Sequence, residues 1–128
     1  VIPSRALRPG GGAPLYLWFF MRVSAVAILG LVLGHLYIMH VLAGTDRIDF
    51  QFVAARLAAP FWRVYDLVLL AFALSHGLVG LRGICDDYIH ARGWRVLAEG
   101  AIWILGVVFF LLGAFVLLTF QPGPPGIR

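Results

Sequence analysis

Apolar side chains run almost without interruption from Leu15 to Leu42, broken by Arg22, Ser24, His35 and His40. About 20 such residues cross the hydrocarbon core of a bilayer, so this stretch predicts a first transmembrane helix with length to spare for tilt. Between Gly44 and Pro60 polarity returns: Asp46, Arg47, Asp49 and Arg56 are interleaved with Phe50, Phe52, Val53 and Leu57. That spacing predicts a short amphipathic segment lying at the membrane surface. A second span follows from Trp62 to Ile84, with Trp62 and Tyr65 at its entrance, where aromatic rings favour the interface, and Ser75 and His76 in its interior. Charge gathers again between Arg82 and Arg95 around Tyr88, and a third span occupies Val96 to Phe120 with Glu99 near its start. The Pro- and Gly-rich run from Gln121 to Pro125 stops it. The pattern therefore predicts an all-α membrane protein, a single transmembrane domain over residues 1–128 with helices at about 15–42, 62–84 and 96–120.

Composition supports the bilayer as solvent. Hydrophobic residues make up 62% and charged residues 12% of the chain, against about 25% charged in soluble domains. All the basic residues are Arg, and they stand singly at segment ends rather than in runs or aromatic-interleaved stripes, so lipid headgroups fit them as partners and nucleic acid does not. Cys85 is the single cysteine, which excludes an internal disulfide or a multi-cysteine cluster. Residues 1–13 lack the apolar region of a cleavable signal, so the first span is expected to be retained. Three spans place Arg5, Arg8, Arg82, Arg92 and Arg95 on one side and Arg47, Arg56, Arg63 and Arg128 on the other. The slight excess favours a cytoplasmic N-terminus, and the expected location is the inner (cytoplasmic) membrane of the cell.

An ionisable side chain inside a span costs roughly 2 kcal/mol or more unless it is paired, coordinated or hydrated, which makes Arg22, His35, His40 and His76 the residues that need a reason. His76 sits in Ala73-Leu74-Ser75-His76-Gly77-Leu78-Val79-Gly80, where small neighbours leave room for something flat and wide against the helix. A haem has that shape, and neutral imidazole is a common axial ligand. The competing reading is a histidine bonded only to a neighbouring helix. Arg22 lies roughly 10 Å inside the first span and His76 roughly 12 Å from the same membrane face, so the guanidinium can reach a haem propionate; snorkelling to the interface is the alternative. His35 belongs roughly 20 Å deeper than Arg22 and cannot share an iron with His76, so as a ligand it would serve a second haem whose other histidine comes from another chain. His40 falls near the far interface.

The histidine followed by Gly80, with Asp87 and Tyr88 eleven and twelve positions after it, on a chain of three spans, resembles the small cytochrome b membrane anchor of succinate dehydrogenase. Phe20-Met21-Arg22-Val23-Ser24 is similar to the family's helix-one arginine motif, and the resemblance extends from Leu15 to Phe120. It implies that His76 is an axial ligand of haem b, that Arg22 contacts a haem propionate, and that Asp87 and Tyr88 belong to the quinone site. Gly34-His35-Leu36-Tyr37-Ile38-Met39-His40 departs from the one-haem members of the family, which carry no histidine there. The expected cofactor is one haem b, or two if His35 ligates, with quinone as substrate. The implied partners are a second membrane anchor (the large cytochrome b subunit), with which the three helices form a bundle, an iron–sulfur subunit and a flavoprotein.

Quinone reduction takes two electrons and two protons. Tyr88 offers a phenolic donor to a quinone oxygen, and Asp87 can relay protons or position a neighbour. Without the family resemblance, Arg82, Asp86 and Asp87 read as a solvated helix end. The chain holds no complete catalytic site: it lacks cysteines for iron–sulfur clusters and the Gly-rich fingerprint for a flavin dinucleotide. On this reading it carries electrons from succinate oxidation to quinone. The alternatives are a haem-free structural or assembly subunit, a proton-path component of a transporter built on Arg22, His76 and Asp87, and the anchor of a quinol:fumarate reductase.

Overall fold

A computed structural model describes residues 12–121, so the Arg5, Arg8 and Arg128 used in the topology argument lie outside the described residues. Among the described residues the chain is helical and contains no strand. Helix α1 (Ala13–Leu36) opens with Pro14 in its first turn, where the missing N–H is no loss, and continues through a π-helical turn, Tyr37–Leu42. A 3-10 turn, Thr45–Arg47, follows Gly44, whose φ of 77° lets the chain leave the membrane sharply. The amphipathic helix α2 (Phe50–Ala58) starts where the Asp49 carboxylate accepts a hydrogen bond from the Phe52 amide at 2.8 Å. Pro60 then initiates α3 (Pro60–Tyr88), and α4 (Arg92–Thr119) completes the chain. The predicted spans are all present. The second and third begin earlier than their hydropathy suggests, and α3 also ends later, because backbone hydrogen bonding carries these helices on into polar flanks at Arg82 to Tyr88 and Arg92 to Arg95.

Three segments are long and apolar enough to cross a membrane: Ala13–Leu42 with 30 residues, Pro60–Tyr88 with 29 and Arg92–Thr119 with 28. Helix α3 is central and packs antiparallel against both neighbours. Its register with α1 is marked by Tyr65 Oη donating to the Leu31 carbonyl at 2.6 Å, by Ser24 beside His76, and by the Met21 methyl against Gly80. Its register with α4 is marked by Leu78 against Gly106 and Leu70 against Gly113. A Cβ added at Gly113 would lie 2.6 Å from Leu70 Cδ2, so the missing side chains let the two backbones approach and leave leucines to fill the space. Among the described residues few side chains are buried by the chain itself: Ala54, Leu57, Ile102, Ser24 and Arg56. Trp103, Phe109, Leu112 and Phe115 are among many large apolar residues on the outside, as expected where lipid or other membrane helices supply the solvent.

Candidate functional site

The centre of the α1–α3 interface is polar. Ser24 is completely buried, and its Oγ lies 2.8 Å from His76 Nδ1 and 3.4 Å from the carbonyl oxygen of Met21. A hydroxyl has one proton to give. If Ser24 donates to Met21 and accepts from His76 Nδ1–H, both contacts are satisfied; if it donates to Nδ1 instead, the Met21 contact is lost and the proton on Nε2 needs another acceptor. The arrangement therefore favours Nδ1–H, which leaves a lone pair on Nε2. The imidazole is half-buried and borders an exposed strip of α3 that includes Ala73 and Gly77; a Cβ added at Gly77 would meet nothing. The structure thus sets a half-buried histidine beside an exposed strip of small residues on the same helix.

Arg22 is on the same helix two residues before Ser24, about 200° away around the axis. It points away from α3, is exposed, and stacks over Trp18 with its Cζ 4.8 Å from the ring centroid. Ser24, rather than Arg22, is the α1 residue that meets His76. Its polarity was visible in the sequence, but a serine bonded to its own helix is ordinary in membrane spans, and only the helix register shows that it faces the histidine.

At the membrane face beyond His76, α3 ends with Asp86, Asp87 and Tyr88. Arg82 Nε reaches Glu99 on α4 at 3.3 Å and Asp86 at 4.0 Å, and Arg95 Nε lies 3.7 Å from Asp86 while the same side chain donates to the Ile89 carbonyl at 3.0–3.1 Å. These charges pin the α3–α4 connection from the side of Asp86. Asp87 and Tyr88 point away from that lattice into the open, with Tyr88 80% exposed. The structure therefore separates the acidic pair, binding Asp86 into an ion-pair network and leaving Asp87 and Tyr88 exposed at the tip.

The opposite end holds a second polar cluster. His35 Nδ1 lies 3.4 Å from Arg56 Nη2 and 3.6 Å from Asp66 Oδ1, and the Arg56–Asp66 pair itself closes at 2.7 Å. Arg56 is buried, with Nη1 on the Met39 sulfur at 2.8 Å and its Cζ 4.7 Å from the Trp62 ring centroid. The sequence pattern places Arg56 on a surface segment and gives Asp66 no role; folding α2 back under the span makes them partners. Ser24 to His35 is eleven residues along α1, about 16 Å, so His35 and His76 occupy separate levels. His40 is exposed at this end, in the π-helical turn. No group of three or more His, Cys, Asp or Glu residues suited to a metal ion occurs among the described residues.

A family model for the succinate dehydrogenase/fumarate reductase transmembrane subunit matches residues 4–119. The chain belongs to this family. The match encloses all three spans of this transmembrane subunit and every residue of the clusters above. The succinate dehydrogenase hydrophobic membrane anchor subunit of Rickettsia bellii (strain RML369-C) is 24% identical to it over 101 residues, which cover 77% of this chain and 78% of the relative. With the three apolar spans, family membership makes the chain a multi-pass membrane protein.

Proposed function

We propose that the chain is the membrane anchor subunit of a succinate:quinone oxidoreductase, supplying one axial ligand to a haem b and part of the quinone-reduction site. The observation that carries the reading is His76: an imidazole within a span, tied through Nδ1 to a buried serine so that Nε2 keeps its lone pair, next to the open space at Gly77. These residues fit a haem: His76 would ligate its iron, and the small residues Ala73 and Gly77 beside it leave room for a flat group. Arg22 lies near that level but points away from α3 and stacks on Trp18, so as the propionate's partner it would swing off that ring. When bound, the haem supplies a one-electron station between the soluble partners and the membrane.

Tyr88 donates its phenolic proton to a quinone oxygen at the membrane face, and Asp87 beside it passes protons inward from water. The Arg82–Glu99–Asp86–Arg95 network holds the helix end so that these two stay presented. Succinate oxidation and the iron–sulfur relay belong to partner subunits, and a second anchor completes the bundle. The N-terminus and Tyr88 then face the cytoplasm, where the soluble partners dock. The family includes fumarate reductases, and the Rickettsia relative is named for succinate dehydrogenase, which favours the succinate-oxidising direction.

The test is a reduced-minus-oxidised spectrum with haem quantitation on the purified complex, before and after succinate, for the wild type and His76→Ala. A b-type signal that succinate reduces and His76→Ala removes is the expected result. A haem content unchanged by His76→Ala refutes the ligand assignment, and a complex with no haem leaves only anchorage.

A further inference from the structure

We infer that Ser24 is the positioning residue for His76: it selects the Nδ1–H tautomer, fixes the ring's rotation and raises the electron density that Nε2 presents to the iron. The inference rests on the haem-ligand reading of His76 and goes beyond it. A histidine that ligates through Nε2 needs its other nitrogen protonated and held by an acceptor, which sets the ring plane and makes the ligand more basic. Here the acceptor is on a different helix: Ser24 Oγ on α1, 2.8 Å from His76 Nδ1 on α3. The hydroxyl is fully buried, so water cannot replace it, and its own proton is directed to the Met21 carbonyl at 3.4 Å, which leaves its lone pairs for the imidazole. The result is a chain of polarised bonds, imidazole N–H to hydroxyl to carbonyl, in surroundings of low dielectric where each bond strengthens the next. The Met21 methyl against Gly80, one turn further along α3, holds the two helices at the spacing this contact needs. Electron donation from the ring favours the ferric form, so Ser24 keeps the haem potential lower than an unsupported histidine would.

The measurement is made on the assembled complex with Ser24→Ala, Ser24→Thr and Ser24→Cys. Ser24→Ala is expected to keep the haem-to-complex ratio, raise the midpoint potential and move the low-spin electron paramagnetic resonance lines. Ser24→Thr retains the hydroxyl and stays at the wild-type potential. Ser24→Cys has nearly the serine shape and a poor acceptor, so its potential also rises, and it serves as the readout if the alanine variant does not assemble. A haem-loaded alanine or cysteine variant with wild-type potential and resonance lines overturns the inference. The two readings fail differently: haem retained in His76→Ala removes the ligand itself, whereas haem lost in His76→Ala with no shift in either Ser24 variant removes only the role of Ser24.

Discussion

A single hydroxyl separates Tyr88 from phenylalanine, and in this protein that residue is exposed at the tip of a helix where nothing among the described residues competes for the hydroxyl. A hydrogen bond of this kind to a bound substrate is worth about 0.5–1.5 kcal/mol, which is roughly a 2- to 12-fold effect. Tyr88→Phe should therefore keep the haem spectrum, lower kcat/KM for quinone by that order and leave succinate oxidation with an artificial acceptor unchanged. Steady-state kinetics with both acceptors checks it, and unchanged quinone kinetics would remove Tyr88 from the site. At this scale the sequence is informative where one residue type in hydrocarbon demands an explanation, as His76 does. It is silent where meaning depends on a partner across the fold. Ser24 is an ordinary helix serine until α3 is laid against α1, and Asp66, just inside the aromatic entrance of the second span, acquires its role only from Arg56.

Helices α2 and α3 share a costly contact. Arg56 is a buried cation and Asp66 lies within a span, so each is tolerated because the other is 2.7 Å away. Removing one partner of a buried pair costs about 3–5 kcal/mol, whereas replacing both with apolar groups of similar size is often neutral. Arg56→Met is accordingly expected to reduce the amount of assembled complex sharply, and Arg56→Met with Asp66→Leu to restore most of it, as read by thermal stability and yield in detergent. Equal loss in the single and double variants would mean that the pair serves something other than mutual neutralisation. A second element-level consequence concerns the α3–α4 seam. Any side chain at Gly106 runs into Leu78, and one at Gly113 into Leu70. Gly113→Val should lower thermal stability by about 1–3 kcal/mol through overpacking, and adding Leu70→Ala should recover part of it. The spans themselves were legible from apolar length alone, and α2 from its alternation of charge and aromatics. Which faces meet was not, because each long helix is apolar nearly all round and carries little directional information.

Taken as a whole, the molecule exposes far more apolar surface than it buries, and its polar clusters occupy the middle and the two ends of one central helix. On the proposed reading, such a chain would hold half of a haem site. His76 presents one nitrogen, and the remaining histidines cannot supply the other: His35 is about 16 Å away along the bundle, His40 lies beyond it, and His90 is fourteen residues past His76, about 20 Å toward the opposite face. Six-coordinate haem therefore requires a histidine or another axial ligand from a neighbouring helix outside this chain, packed against the exposed strip that contains Ala73 and Gly77. The chain expressed without its partner anchor is expected to insert into the membrane yet hold no stoichiometric low-spin haem. Co-expression with the partner should restore a b-type spectrum that disappears again in His76→Ala. Absorption and electron paramagnetic resonance spectra of the two preparations decide it. Low-spin haem on the chain alone would require two copies to pair through their own His76 residues, and cross-linking by a cysteine placed at Gly77 would then report a homodimer in place of the heteromeric bundle.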